Sequence, residues 1–245
     1  MYVPAHFVLP PDHVEAILSD VVFGNLVTVH ADGPQATPLP FYRDRERGVL
    51  VSHIVRNNPQ GLSPITGPGL LLVERGDSYV SPHWYATNQT MPNVPTWDYI
   101  TLQIRGTVRV DSSPQAALEA ACRLTSLYES DSVLAAVGSQ KLERMARAIC
   151  AVEISLDEVV GKAKMSQNRH PDDVLSVIAK FEELGLDQLA RFLREVSLPY
   201  ARERFAKISQ LRDARLAAPI SAACPANAAA PGDGLIDEYG GCPAG

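Results

Sequence analysis

The chain has 245 residues, 46% of them hydrophobic and 20% charged, and its formal net charge is −6. This composition is typical of a globular protein with one or two domains, and its acidity argues against a bulk electrostatic grip on nucleic acid. No run of about 18 apolar residues is present to span a membrane, and the N-terminus lacks the pattern of a signal peptide.

The first half of the chain predicts a short helix followed by strands that tight turns connect. The helix covers 12–20, where Asp12 can cap it and apolar residues follow helical spacing. Strands are predicted at 26–29, 49–55, 70–74 and 99–110, with a strand or a loop at 79–81. The segment after the Asp32–Gly33 turn contains Pro38 and Pro40, which indicate an edge strand or a strand that leaves the sheet.

The second half of the chain is mainly helical in pattern. Ser113 is predicted to cap a helix that begins at Pro114, and the helical pattern extends over 114–148. The segment 149–161 returns to strand. A helical stripe follows over 171–196 with an interruption at Gly185, and a basic helix continues to about residue 216.

These elements predict the fold class and the organisation of the chain. Tight turns between consecutive strands favour an α+β protein with an antiparallel sheet or small barrel over a doubly wound fold. We predict a domain over 1–196, a helical extension over 197–218 and a flexible tail over 219–245 that is rich in Ala, Pro and Gly. The four cysteines have no metal-site spacing, which indicates a reducing, cytoplasmic compartment.

The first of three polar clusters covers 52–60, at the end of a predicted strand. It contains His53, Arg56 and Asn58. Arg56 is a natural partner for a phosphate or carboxylate group, because the guanidinium fork bonds two oxygens at once. The alternative is a solvated loop in which the asparagines and the proline only form a turn.

The second cluster covers 81–85 and 94–99 and holds both tryptophans of the chain. Its polar and aromatic members include Ser81, His83, Trp84 and Trp97. Aromatic rings between prolines form rigid walls that can stack on a planar ligand. The alternative is that these rings cap one end of a barrel core.

The third cluster covers 161–169, after a predicted strand and before a helix. Its polar members include Lys162, Lys164, Ser166, Gln167 and Asn168. Two lysines among small polar residues suit the binding of phosphate or another anion. The alternative is a basic loop in an acidic protein.

Other chemistry has weaker support in the sequence. Either His53 or His83 could ligate iron through an imidazole nitrogen, although the two lack metal-site spacing with each other. No cysteine lies in the clusters, and no carboxylate stands clearly behind either histidine, which argues against a serine or cysteine hydrolase. The common dinucleotide, P-loop and nucleophile-elbow motifs are absent.

The three clusters, in this order, resemble the PaiB family, often described as FMN-binding negative transcriptional regulators. The resemblance covers roughly 1–190 and implies a split β-barrel of the flavin-reductase or pyridoxamine-phosphate-oxidase type, a homodimer, and a cofactor near the subunit interface. The motifs that carry it are Met1-Tyr2-Val3-Pro4…Phe7, His53…Arg56-x-Asn58-Pro59-Gln60, Tyr79-Val80-Ser81-Pro82-x-Trp84-Tyr85, Val94-Pro95-Thr96-Trp97-x-Tyr99 and Gly161-Lys162-x-Lys164-Met165-Ser166-Gln167-Asn168-Arg169.

The resemblance implies that the clusters bind FMN. Arg56, Lys162 and Lys164 are the candidates for the phosphate partner, and Trp84 or Trp97 would border the isoalloxazine. The remaining cofactor-binding candidates are His53, Asn58, Ser81, His83, Ser166, Gln167 and Asn168. Such a protein would sense redox state or a ligand, or catalyse a flavin reaction, and its net charge argues against direct DNA binding.

One branch of the family, the piperazate synthases, implies a second hypothesis. These enzymes bind haem b and join two nitrogens of N5-hydroxy-ornithine, and like them this chain has Gln103 where the family often has histidine. His53 or His83 would then be the axial ligand, and Arg56 or Lys164 would hold the substrate carboxylate or aid proton transfer. The catalytic candidates are therefore His53, Arg56 and Lys164. A third hypothesis is an interaction module without a cofactor.

Overall fold

A computed structural model describes residues 1–217, with the side chains of 1–214. The described residues up to Ala206 form one compact unit, and those from Lys207 onward belong to a second unit. The predicted tail at 219–245 lies outside the described residues, and the predicted boundaries at 196 and 218 stay predictions. Among the helices that the structure describes, none is long and apolar enough to span a membrane.

Eight antiparallel strands form one sheet in the order β6-β7-β3-β2-β1-β4-β5-β8. The predicted α+β class with an antiparallel sheet is therefore confirmed, and the sheet curls into a half-barrel. The strands are β1 (Val22–His30), β2 (Gly33–Asp44), β3 (Val49–Val55), β4 (Gly69–Val80), β5 (Thr96–Gly106), β6 (Val108–Asp111), β7 (Ile149–Ser155) and β8 (Glu158–Lys164).

Helices flank the sheet and connect its strands. Short 3-10 turns cover Ala5–Phe7, Pro82–Trp84 and Ala86–Gln89, and a π-helical segment covers Leu193–Ser197. The α-helices are α1 (Pro11–Ser19), α2 (Pro59–Leu62), α3 (Pro114–Ser126), α4 (Asp131–Val137), α5 (Ser139–Ala146), α6 (Pro171–Glu183), α7 (Asp187–Phe192) and α8 (Leu198–Ala217). Ser113 caps α3 as predicted, since its Oγ accepts from the Ala116 N–H at 3.3 Å.

The sheet curls because two long segments each change partners along their length. The segment predicted as one strand at 99–110 is divided at Thr107, so that β5 pairs with β4 and β8 while β6 pairs with β7. Likewise, β7 pairs with β3 and β6, whereas β8 pairs with β5. Gly106 lies at this crossing, where a Cβ atom would come within 1.8 Å of the Ser155 carbonyl oxygen.

The two prolines of β2 occupy a stretch that has a neighbour on one side only. Residues 33–41 pair with β1, and β3 pairs only with 42–44. No strand pairs with Pro38 and Pro40 on the other side, so their missing N–H groups cost no ladder hydrogen bond there. The prediction of an edge position holds locally, although β2 as a whole lies inside the sheet.

A β-bulge joins two predicted segments into the single strand β4. The register with β5 shifts between Glu74 and Asp77, and Gly76 adopts a φ of 115° there. Glycine suits this left-handed conformation because it has no Cβ. The bulge keeps the residues after it, including Tyr79, paired with the start of β5.

A large apolar core fills the inside of the curled sheet, and a smaller cluster lies under α3. The smaller cluster consists of Tyr42, Val51, Ala120 and Leu124. The larger core extends past the sheet into the C-terminal helices and includes Leu198 and Ala201. Of the cysteines in the described part of the chain, Cys150 is buried and Cys122 is half-buried, and both are free thiols.

The crossing at Gly106 gives a direct test of the fold. We expect Gly106→Ala to lower the free energy of unfolding by about 3 kcal/mol, because the new methyl group meets backbone that cannot move aside. Urea unfolding followed by circular dichroism measures the change. Gly67→Ala is the matched control, since no atom lies within 4 Å of its added Cβ, and we expect a change within about 0.5 kcal/mol. Equal effects of the two substitutions would contradict the close approach of the two backbones at Gly106.

Candidate functional site

The second and third clusters meet at one end of the sheet. Lys164, the last residue of β8, pairs with Tyr99 of β5. Its Nζ donates to the Trp97 carbonyl oxygen at 2.6 Å and to Thr96 Oγ1. Partial burial lowers the pKa of Lys164 below its usual range. The side chain of Lys164 therefore fastens the start of β5 as well as carrying a charge.

Aromatic rings form a row across this end of the molecule. Tyr79 and Trp97 pair across β4 and β5 with ring centroids 6.0 Å apart, and Trp84 lies 6.3 Å from Tyr79. Trp84 in turn contacts the buried ring of Phe181 on α6. Trp97 remains 51% exposed and Tyr79 44% exposed. The inner end of the row therefore packs against the core, as the alternative interpretation predicts, and its outer end is accessible from solvent. That the exposed rings stack on a planar ligand stays a prediction.

Asp98 is a buried carboxylate in this region that the sequence analysis did not select. Its side chain is fully buried, and Oδ2 accepts from Ser166 Oγ at 2.8 Å. Oδ1 has no hydrogen-bond partner in the described part of the chain, and Lys164 Nζ lies 4.0 Å from it. Burial raises the pKa of Asp98 to about 6, while the bond from Ser166 opposes the shift.

The polar residues after β8 differ in whether their side chains are already hydrogen-bonded within the chain. Ser166 has a φ of 57°, an uncommon conformation for a residue other than glycine, and it directs its hydroxyl to Asp98. The buried side chain of Gln167 folds back, accepting from the Met165 N–H at 2.8 Å and donating to the Ala163 carbonyl at 2.7 Å. Asn168 is exposed. Gln167 is thus committed to the chain itself, and Asn168 is accessible.

The loop between β4 and β5 is attached to the start of α6. Asp173, which is buried, accepts from both the N–H and the hydroxyl of Thr87, at 2.8 and 2.9 Å. Arg169 donates to Asn93 at 2.7 Å, and its guanidinium lies 4.6 Å from the centroid of the Tyr85 ring. These contacts hold the loop beside the aromatic row.

Lys162 lies next to the aromatic row on β8. It pairs with Thr101, and its Nζ lies 5.4 Å from the centroid of the Tyr99 ring. None of the ion pairs within the described residues includes Lys162. Its three N–H groups are therefore available to an anion or to a polar edge of a ligand.

The first cluster lies elsewhere on the sheet, because β2, β1 and β4 separate β3 from β5. Arg56 donates from Nε to the Arg147 carbonyl at 2.6 Å, and from Nη2 to the carbonyls of Ser112 and Ile149 at 2.8 and 3.1 Å. These bonds fix the guanidinium and leave Nη1 unbonded, and Arg56 forms no ion pair with any described residue. Asn58 caps α2 and donates to Thr37.

The two candidate iron ligands occupy different environments. His53 is half-buried, its Nδ1 has no partner among the described side chains and backbone, and burial lowers the pKa of its imidazole. His83 is exposed, and its backbone N–H donates to the cap residue Ser81 at 3.3 Å. Within residues 1–214, no three His, Cys, Asp or Glu side chains are grouped as a metal site.

A single chain therefore brings together the second and third clusters but not the first. The alternation of β5 could have revealed Asp98, because positions 98, 100, 102 and 104 all point inward. Nothing in the sequence signals the bonds of Arg56, since their acceptors lie more than 50 residues away.

The family model described as "Putative FMN-binding domain" matches residues 1–158. The chain belongs to this family. It is 27% identical over 189 residues to "Protease synthase and sporulation protein PAI 2" of Bacillus subtilis, covering 74% of this chain and 89% of that protein. The resemblance to the PaiB family is thereby confirmed.

The chain is also similar to a protein of a fungus and to a solved bacterial structure. An uncharacterized protein of Emericella nidulans is 28% identical over 204 residues, covering 66% of this chain and 81% of that protein. The structure of the flavocytochrome Anf3 from Azotobacter vinelandii superposes with a TM-score of 0.50 and 15% identity, covering 63% of this chain and 67% of that one. At that identity the similarity shows a shared fold.

Asp98 should make the stability of the protein depend on pH. Its folded-state pKa of about 6 lies above the ordinary value of 3.8, so folding favours the protonated form. Relative to Asp98→Asn, the wild-type protein should gain stability as the pH falls from about 7 to about 4 and lose it as the pH rises through 6. The full difference is about 3 kcal/mol, at about 1.4 kcal/mol per pH unit between the two pKa values.

Urea unfolding of both proteins across this pH range measures the effect. Asp157→Asn, which changes an exposed aspartate between β7 and β8, controls for the loss of one negative charge. A constant difference between wild type and Asp98→Asn over the whole range would contradict the assignment.

Proposed function

We propose that the protein binds FMN and acts as a redox or regulatory flavoprotein. The observation that carries the proposal is Arg56, a guanidinium that three backbone carbonyls hold in place and that no described carboxylate neutralises. With Nε and Nη2 bonded to the chain, Nη1 is the nitrogen that can donate to a phosphate group, in a charge-assisted hydrogen bond of the strong kind. The family of FMN-binding domains to which the chain belongs supports this choice.

The residues present fit the other parts of FMN as well. His53 supplies a half-buried imidazole whose Nδ1 is without a partner in the described structure, and this nitrogen can bond a polar edge of the ligand. Trp97 and Tyr79 offer exposed rings for the isoalloxazine, and Lys162 offers a cation beside them. A bound flavin would supply the acceptance and release of electrons, while these residues position it and set its surroundings.

Because the first cluster lies apart from the other two, we propose that two copies of the chain share each site. The register places Phe23, Leu72, Trp97 and Lys162 on one outward face of the sheet. On this face Phe23 is 61% exposed, so an apolar surface is available to a second copy. FMN would then contact Arg56 and His53 of one copy and Trp97 and Lys162 of the other.

The spectrum of the purified protein, before and after incubation with each cofactor, tests the proposal first. Flavin absorption bands support FMN. Burial lowers the pKa of the His53 imidazole and so favours the neutral form that can ligate iron. Haem, with a reaction of the piperazate-synthase kind, is therefore the second candidate, and a Soret band would support it. A protein that stays colourless after incubation with both would contradict the two cofactor proposals together.

The role of Arg56 can be separated from that of Lys162 by comparing two ligands. We expect Arg56→Met to weaken FMN binding tenfold or more while leaving riboflavin, which has no phosphate, unaffected. Lys162→Met should weaken both ligands alike, because this lysine faces the ring system. Titration calorimetry gives the affinities, and retained riboflavin binding shows that Arg56→Met is folded. A loss for FMN alone in Lys162→Met would reverse the two assignments.

Mixing two defective variants tests the shared site. His53→Ala and Trp97→Ala should each bind FMN weakly as homodimers. When the two are unfolded together and refolded, the mixed dimers carry one site with both changes and one intact site. We therefore expect about a quarter of all sites to regain wild-type affinity. If each site belonged to a single copy, no intact site would form, and no recovery would be seen.

A further inference from the structure

A cavity lies beside the bulge of β4, on the outward face of the sheet. Its volume is about 410 Å³, within the range of small-ligand sites. Glu74 and Asp77 line it from β4, and Trp97, Tyr99 and Thr101 line it from β5. The bulge is what places two carboxylates on this side, because it inserts Arg75 and Gly76 between them and restores the register at Asp77.

The cavity carries negative charge that the chain does not neutralise. Glu74 and Asp77 are both exposed, and neither enters an ion pair with a described residue. Asp77 is instead held in position by the Trp97 indole, whose Nε1–H donates to Oδ1 at 2.7 Å. The nearest arginine in sequence, Arg75, lies 3.9 Å from Asp20. A ligand with a positive charge would supply the missing partner.

The aromatic walls of the cavity favour the same kind of ligand. Trp97 exposes half of its surface, and tryptophan is the best aromatic partner for a cation. The Tyr99 ring already has an ammonium group near it, since Lys162 Nζ lies 5.4 Å from its centroid. Lys162 approaches from β8, whereas the two carboxylates lie on β4, on the opposite side of β5. No described cation forms an ion pair with the two carboxylates on the β4 side.

We propose that this cavity binds an organic ammonium ion, with Glu74 and Asp77 as its counter-charges and the rings of Trp97 and Tyr99 as its walls. One chain supplies all of these residues, so the site can be tested without FMN, and it shares Trp97 with the proposed flavin site. Its position beside Trp97 places the ammonium group of a substrate or effector next to the proposed flavin.

Choline is a suitable probe, and 3,3-dimethylbutan-1-ol is its neutral counterpart of the same shape. Ligand-observed NMR titration of the full-length protein without added FMN measures both affinities. We expect choline to bind at least tenfold more tightly than the alcohol. Equal binding of the two probes would overturn the proposal. Choline binding in a protein that takes up no FMN would support this site and count against the proposed function alone.

Variants that keep shape and remove charge test the two carboxylates. Glu74→Gln and Asp77→Asn should each weaken choline binding about threefold, and the pair together about tenfold. The carboxamide oxygen that Asp77→Asn introduces would still accept from the Trp97 indole, so the wall should stay in place. Glu158→Gln, on the same face of β8, is the matched control and should have no effect. Choline affinity of the double variant within twofold of wild type would contradict the assignment.

Discussion

The curl of the sheet depends on one close approach between two backbones. At the crossing of β5 into β6, Gly106 passes the Ser155 carbonyl with no room for a side chain. Two bonds fix the crossing, from the Thr107 N–H to Ser155 Oγ at 2.8 Å and from the Ser155 N–H to the Thr107 carbonyl at 3.1 Å. Because both long segments change partners here, one sheet can enclose a core on its inner face and keep a second face outward.

Buried polar groups then fix the elements that carry the candidate residues. Gln60, 2% exposed, donates to the Leu26 and Gln35 carbonyls and to Thr28 Oγ1, and Thr28 in turn bonds His30. This network attaches α2, and with it the loop that contains Arg56, to the middle of the sheet. Asp98 and Ser166 do the same at the other end, between β5 and the loop after β8. Such buried networks favour one arrangement, although Gln60 Oε1 and Asp98 Oδ1 have no hydrogen-bond partner among the described residues.

The sequence patterns predict much of this structure, and their failures have physical causes. Period-2 alternation places β5 correctly, and it would also have revealed Asp98 if it had been followed two residues further back. The division of that strand at Thr107 depends on contacts with β7, which lies over 40 residues later and leaves no local signal.

At the candidate site too, the sequence shows which residues cluster along the chain but not which contacts they make in the fold. The clusters of aromatic and basic residues are visible in the sequence, and the structure brings two of them together. Arg56 and Gln167 look equally available in the sequence, yet the fold engages both with backbone groups, Gln167 through its amide and Arg56 through Nε and Nη2. Whether a polar side chain is committed to the backbone depends on tertiary contacts, which residue type does not encode.

The aromatic row has an optical consequence. Trp84 and Trp97 are the only tryptophans in the chain, and both belong to it. The intrinsic fluorescence of the protein therefore originates almost entirely at the candidate site, from one indole packed against the core and one that is half exposed. A chromophore docking beside Trp97 would quench that emission, so the protein carries its own reporter of occupancy.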